Sequence, residues 1–247
     1  MKDINKQKIN AAILIIGNEI LSGRTQDLNV SFISNWLNKR CGITVDEVRI
    51  VPDIEKKIVK NILELKKEFN YVFTTGGIGP THDDITAKSL SRAFKKKYEF
   101  HKEAYSILEK YYGRHRFNDG RKKMAKMPKG SSLIYNPSSA APGFFIKNVF
   151  CLPGVPSILR AMIDNVQKYL KKGLVISNKS LSIYAVESDI SKELTIISKK
   201  YLKIVDIGSY PFFRLGRIGV SIVLRSTNKK KIKLCFAEIK KMVKQKD

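Results

Sequence analysis

A five-residue apolar segment, Tyr71 to Thr75, runs directly into Gly76-Gly77-Ile78-Gly79-Pro80 and then Thr81-His82-Asp83-Asp84. Three glycines and a proline within five positions exclude the interior of a helix or a strand. The segment before them has strand length, and Ile85 to Phe94 after them has helical spacing. A strand that empties through a glycine loop into a helix is the unit of an α/β sheet. Such a loop lies at the strand's carboxyl end, the edge where open α/β sheets bind ligands.

The same alternation runs through most of the chain. Ala11 to Gly17 reads as a buried strand ending in a turn. Asp27 precedes a helix marked by Val30, Ile33 and Leu37 and stopped by Cys41-Gly42. Ile43 to Val51 is β-branched and strand-like. Asp53 stands as the N-cap of a helix whose Ile54, Ile58, Ile62, Leu65 and Phe69 share one face. Residues 95–130 are basic and aromatic; they read as an insertion or lid with one helix, His101 to Tyr112, and a long exposed loop. Leu133 to Tyr135, Gly143 to Ile146 and Val149 to Leu152 are short strands, and Pro153-Gly154-Val155-Pro156 turns the chain into a helix near Ile158 to Leu170. Beyond a polar linker, Lys171 to Ser180, the order is β-α-β-β-α, with strands over 181–186, 205–210 and 220–225 and helices over 190–201 and 231–243. The expected organisation is an α/β domain over residues 8–172 and a small α+β domain over 178–247.

At 43% hydrophobic and 28% charged residues, the chain can bury a sizeable core beneath a solvated surface. No run approaches the ~20 apolar residues of a membrane span. The polar first ten residues lack the pattern of a signal peptide, so a cytoplasmic location and no membrane partner are expected. Cys41, Cys151 and Cys235 are far apart, and His82, His101 and His115 form no ligand pattern, which argues against a disulfide framework or a zinc site. Trp36, alone on a helix flank, reads as packing. The net charge of +25 has two readings: a footprint for nucleic acid, or a lysine bias that draws in anionic small molecules. The 36 Lys against 11 Arg, scattered over nearly every segment, favour the second. The small domain is reminiscent of a KH module, but Gly216-Arg217-Ile218-Gly219 falls between strands and reads as a hairpin turn. No specific nucleic-acid partner is expected.

Four loops share the carboxyl edge of the sheet: Gly17-Asn18-Glu19 with Asp27-Leu28-Asn29; Val51-Pro52-Asp53; Thr74 to Thr86; and Leu152 to Pro156. In the third, glycine backbone lets N–H groups approach a ligand, and a helix N-terminus follows, the requirements of a phosphate site. Thr75 and Thr81 add hydroxyl donors. Two carboxylates beside three glycines point to a divalent cation bridging Asp83 and Asp84 to phosphate oxygens. The alternative is that Asp84 only caps the helix that follows. The run is neither a P-loop nor a dinucleotide fingerprint, since both glycine spacings are missing.

On Ile16 to Arg24, Thr74 to Thr86, Ala141-Pro142-Gly143-Phe144 and Leu152 to Pro156, residues 10–170 resemble the molybdopterin-binding (MoaB/Mog-like) fold. That fold is shared by molybdenum-cofactor biosynthesis proteins and the amino-terminal part of CinA-type competence/damage-inducible proteins. The second half, with Gly208-Ser209-Tyr210-Pro211, resembles the small domain that follows in CinA-type proteins and the matching region of eukaryotic FAD synthases. The resemblance implies a three-layer α/β fold with a small C-terminal α+β domain, and the possibility of a homo-oligomer. It implies a metal-dependent nucleotide pyrophosphatase acting on ADP-ribose or FAD-like dinucleotides, or alternatively a non-catalytic molybdopterin- or nucleotide-binding protein. The cofactor would be Mg²⁺, Mn²⁺ or Co²⁺ on Asp83 and Asp84, with Asp84, Asp53 and Asp27 as catalytic carboxylates. Gly17, Asn18, Glu19, Thr75, Gly76, Gly77, Gly79, Thr81, Pro153 and Gly154 would bind a phosphate-bearing nucleotide or pterin, with Lys126 closing over the phosphates. The chain departs from the family pattern where Asp27-Leu28-Asn29 replaces Asp-Thr-Asn and where Ser139-Ala140 precedes Ala-Pro-Gly.

Overall fold

Asn10–Ile16 (β1) is apolar after its first residue, and such a run suits a strand covered on both faces. In the computed structural model, which describes residues 9–244, β1 lies inside a six-stranded sheet. The readings made on residues 1–8, including the start of the first domain, lie outside the described residues. Thr44–Val51 (β2) and Tyr71–Thr75 (β3) flank β1 in parallel, and Val149–Leu152 (β8) adds in parallel beyond β3. Gly143–Ile146 (β7) and Ser132–Ile134 (β6) close that side antiparallel, giving the order β2-β1-β3-β8-β7-β6. The chain passes from β1 to β2 on one side and then crosses to β3 on the other. The carboxyl ends of β1 and β3 therefore form a topological switch point.

Alternation along β1 divides the unit into layers. Ala12, Leu14 and Ile16 face one core with helices Glu55–Glu68 (α3) and Thr86–Ala93 (α4). Ala11, Ile13 and Ile15 face the other, with helices Asn29–Trp36 (α2), which follows the short helix Asn18–Leu21 (α1), and Pro156–Met162 (α7). This is the expected three-layer α/β fold. Trp36 packs in the second core, and its Nε1 donates to Asp164 at 2.7 Å. The helix expected up to Leu170 is α7 followed by a 3-10 stretch, Ile163–Tyr169.

Residues 95–130 are not a long exposed loop. Tyr98–Phe100 (β4) pairs with Lys126–Pro128 (β5), with helices Lys102–Tyr112 (α5) and Asp119–Lys123 (α6) between them. Ala104, Leu108, Phe117, Ala125 and Met127 are buried in the first core. Scattered basic residues hide this apolar set in the sequence. Asp53 does not cap α3, which has no side-chain cap, and Ile54 at its start is 50% exposed rather than part of the buried stripe.

A second compact unit begins at Leu174. Its order is Ser177–Ile183 (β9), Glu187–Lys200 (α8), Asp206–Arg214 (β10), Arg217–Ser226 (β11) and Lys229–Lys244 (α9). The antiparallel sheet runs β10-β11-β9, and Val220, Ile222 and Leu224 of β11 pack against α8 and α9. Leu215 and Gly216, at φ 50° and 74°, make a two-residue hairpin turn flanked by the Arg214–Arg217 pair. The polar segment 177–180 belongs to β9 rather than to the linker, because Asn178 and Ser180 point to solvent while their backbone pairs with β11. Among the described residues no helix is long and apolar enough to cross a membrane.

The α3 stripe supplies a stability test. Ile62→Ala, at a fully buried position, is expected to lower unfolding free energy by about 2–5 kcal/mol. Ile54→Ala is expected to change it by less than about 1 kcal/mol. Urea denaturation of both variants checks the difference.

Candidate functional site

At the switch point three strand ends meet with almost no side-chain volume between them. Gly76, at φ 101°, donates its N–H to the Leu152 carbonyl at 3.2 Å. A Cβ on Gly76 would lie 2.1 Å from the Ile16 carbonyl oxygen, and one on Gly154 would lie 3.3 Å from the Gly76 Cα. Gly77, at φ 67°, sits over the buried Thr86, whose hydroxyl donates to the Gly76 carbonyl at 3.0 Å. The loops after β1, β3 and β8 are thus pinned backbone to backbone.

A buried polar knot locks them further. The Asn29 amide donates to the Thr75 hydroxyl at 2.9 Å and to the Gly154 carbonyl at 2.8 Å, while the Thr75 hydroxyl donates to the Pro153 carbonyl at 3.3 Å. The Thr75 hydroxyl is therefore engaged within the protein, tying the loop after β3 to Asn29 and Pro153. Asn29 was not singled out in the sequence; the Asp27-Leu28-Asn29 triplet at a helix start was its only local mark.

Above this knot opens a cleft of about 540 Å³. Gly76 to Pro80, Glu19 and Asp84 form part of its wall, and Pro153 to Pro156 with residues of the 136–142 turn line it as well. Tyr112, Met124 and Ile158 add apolar surface. The amides of Gly77, Ile78 and Gly79 have no protein acceptor among the described residues. Asn136 shapes the facing turn by accepting from the Ser138 and Ser139 amides and donating to the Ala141 carbonyl. A second cleft of equal volume lies on the outer face of α3 around Val59 and Leu63, away from every strand end.

The carboxylates divide by task. Asp84 does not cap α4, which has no side-chain cap; its Oδ2 accepts the Thr81 amide at 2.8 Å and faces the Thr81 hydroxyl at 2.5 Å. Asp83 Oδ1 lies 2.6 Å from the same hydroxyl, whose hydrogen bond holds that carboxyl below its usual range. Thr81 is thus engaged with the two carboxylates rather than free for a phosphate. Asp53 accepts the Asn18 amide at 2.9 Å, and Asp27 accepts the Val30 amide at 2.8 Å, so both hold helix starts beside the cleft. Gly17 lets the Glu19 carboxylate fold back to within 2.7 Å of where a Cβ would stand.

Lys126 and Lys123 line a small recess behind Gly77 to Gly79 together with Asp84. The Lys126 ammonium rests 4.6 Å from the Phe100 ring centre, and Lys123 donates to the Thr81 carbonyl. Lys123 was not distinguishable by sequence from its neighbouring lysines. The three cysteines are free and buried, with Cys151 pushed up to about 12 and Cys235 to about 11 by burial, so neither is a thiolate nucleophile.

Residues 12–172 match the family described as "Probable molybdopterin binding domain", and residues 175–247 match "FAD synthase, middle domain". A protein of Archaeoglobus fulgidus is 30% identical over 234 residues, covering 95% of this chain and 98% of that protein. A Clostridium botulinum relative bearing a competence-damage inducible name is 30% identical over 250 residues, covering 96% of this chain; the chain spans 59% of that longer protein. The crystal structure of the protein CinA, of unknown function, from Thermoplasma acidophilum superposes with TM-score 0.62 at 32% identity, over 66% of this chain and 98% of that one.

Gly76→Ala is expected to destabilise the protein by about 3 kcal/mol or more, because it adds a clash to a left-handed φ. Gly23→Ala, also left-handed at φ 72° but with nothing within 4 Å, is expected to lose only about 1 kcal/mol. Denaturant midpoints separate the two.

The Asp53 carboxyl is held above its usual range, first by burial and further by Glu19 and Asp83, against the Asn18 hydrogen bond. Its folded pKa exceeds the unfolded value of about 3.9, so the folded state holds that proton more tightly. The stability this supplies is present below the unfolded value and is lost as pH rises through the folded value. Asp53→Asn is expected to flatten that fall in a pH series of urea midpoints.

Proposed function

The chain belongs to the molybdopterin-binding domain family, on its CinA-like side, and from that membership and the cleft's geometry we propose that it is a metal-dependent nucleotide pyrophosphatase acting on ADP-ribose or FAD-like dinucleotides. The observation that carries the reading is one cleft wall. It presents three consecutive amides, from Gly77 to Gly79, that have no acceptor among the described residues, next to the Asp84 carboxylate. Amides fixed this way bind phosphate charge without reorganising as it develops. The apolar side chains of Tyr112, Met124, Val155 and Ile158 that also line the cleft suit a planar base or ring system. Lys123 and Lys126 add positive charge behind the glycines.

Asp83 and Asp84 are the residues to hold a divalent cation, Mg²⁺, Mn²⁺ or Co²⁺. Each keeps one carboxylate oxygen outside the Thr81 hydrogen bonds. Among the described residues no group of three His, Cys, Asp or Glu is arranged to hold a metal. The remaining ligands would therefore be phosphate oxygens and water, the mode Mg²⁺ favours. When bound, the cation supplies charge neutralisation at the pyrophosphate and a more acidic water. Glu19 and Asp84 are the carboxylates that line the cleft, while Asp53 and Asp27 position the loop after β1.

A second reading, a non-catalytic molybdopterin- or nucleotide-binding site, is favoured by one observation: the Thr75 and Thr81 hydroxyls are both engaged within the protein. Incubation of the purified chain with ADP-ribose or FAD and each cation decides between them. AMP plus the second monophosphate is expected by chromatography, and chelation is expected to abolish it. Tight binding without cleavage under any of the cations would replace the first reading with the second.

Asp84→Asn keeps an oxygen for the Thr81 amide, so its stability should stay within about 1 kcal/mol of wild type. Turnover should fall by roughly 10²–10³, the scale of losing one preorganised electrostatic group. A well-folded variant with wild-type turnover would remove Asp84 from the mechanism.

A further inference from the structure

Residues 174–247 carry 16 Lys and Arg against 6 Asp and Glu, and 3 of the 16 are arginines. The arginines are not scattered as the lysines are. Arg214, Arg217 and Arg225 all stand on the face of the β10-β11-β9 sheet opposite α8 and α9, since the alternate positions 220, 222 and 224 are buried against the helices. The described lysines lie on the helices and loops, apart from Lys179 of β9, whose ammonium sits over Phe236 of α9 on the helix side.

Each arginine on the open face is paired with an aromatic ring. The Arg214 guanidinium lies 5.1 Å from the Phe212 ring centre and that of Arg217 lies 5.9 Å from the Tyr184 ring centre. Arg225 lies 3.4 Å from the Tyr210 hydroxyl and 3.6 Å from the carboxylate of Asp206, its partner across the ladder on the same face. The rings lie across glycines: a Cβ on Gly219 would be 2.3 Å from the Phe212 ring, and one on Gly208 would be 2.9 Å from the Tyr210 hydroxyl. Rings seated on glycine backbone hug the sheet. Tyr184 and Tyr210 are 55% and 46% exposed, a large fraction for residues in paired strands or beside them. Between them the floor is small and polar, with Ser182 and Ser221 in hydroxyl contact at 3.3 Å.

We propose that this open sheet face is a docking surface for single-stranded nucleic acid, engaged through phosphates and base planes and independent of sequence. Guanidinium groups bind phosphate in a fork and stack on planar rings, which a lysine ammonium does not do. Exposed aromatic rings on a flat sheet accept unpaired bases, whereas a duplex keeps its bases stacked inside. Three arginines against the single Asp206 carboxylate give the face a net positive charge that complements a polyanion. From Arg217 to Arg225 the face extends roughly 27 Å, room for several nucleotides.

The test uses the full chain with a fluorescein-labelled oligouridine of about a dozen nucleotides, read by anisotropy in EDTA so that the metal-dependent cleft is not involved. Binding is expected to weaken steeply between about 50 and 200 mM salt. Replacing the three arginines together by Gln should weaken it at least about tenfold and reduce the log–log salt slope by about 2. The charge-matched control Lys230→Gln, Lys233→Gln, Lys240→Gln on exposed α9 positions should lose less than about threefold. Tyr184→Ala with Tyr210→Ala, which alters no charge, should lose about tenfold through lost stacking. Equal losses from the arginine and lysine sets, no loss from the tyrosine pair, or a duplex bound as tightly as the single strand would each overturn the proposal. So would an arginine variant that breaks a dimer in sedimentation while leaving oligouridine affinity unchanged.

Discussion

The absence of a side chain at residue 76 is the constraint on which the site depends. The Ile16 carbonyl occupies the space a Cβ would take, and Gly154 closes on the same backbone from β8. Only because that contact is made without side chains do the ends of β1, β3 and β8 come close enough for one asparagine, Asn29, to reach both Thr75 and Gly154. The amides of Gly77 to Gly79 are then carried past the sheet edge to the cleft, where no protein group among the described residues accepts them.

Polar groups near the cleft fall into two populations. Thr75, Thr86, Asn29, Asp27 and Asp53 are used to hold loops and helix starts in place. The glycine amides, one oxygen each of Asp83 and Asp84, and the Lys126 ammonium remain for a ligand. Preorganisation of this kind explains why hydroxyls that look like ligand donors in the sequence donate to protein groups in the fold. A hydroxyl in a buried loop is costly unless paired, and the nearest partners are the neighbouring loops. The 95–130 segment works in the same direction. Its apolar residues anchor it to the core, so Tyr112 and Met124 reach the cleft from an ordered wall.

Charge in the second unit shows why composition and placement carry different information. Lysine excess is diffuse and signals little beyond attraction of anions. Three arginines converging with three aromatic rings on one sheet face is a statement about geometry. It arises because a hairpin with a two-residue turn keeps alternate residues of β10 and β11 on the same side.

Much of the architecture was legible in the amino-acid order. The run of Ala11 to Ile16, the glycine break after Thr75 and the order of the last five elements each express a local rule of periodicity or backbone freedom, and each stands in the fold. The long motif at Thr74 to Thr86 marked the family and the loop that lines the cleft. Tertiary structure decided what those rules cannot reach. Asp53 and Asp84 both sit at cap-like positions before a helix, yet neither caps it, because Asn18 and Thr81 offer their carboxylates nearer amides. Asn29 and Lys123 enter the site by contacts across 46 and 42 positions of chain, separations at which no local pattern marks a partner. The sequence by itself determined the central strands, the helices with a clean apolar stripe and the glycine turns, since those follow from each residue's own conformational limits, but not the paired strands within 95–130. Which polar atoms are left over for a ligand was decided only when the sheet brought distant loops together, because hydrogen-bond satisfaction is a property of the assembled neighbourhood.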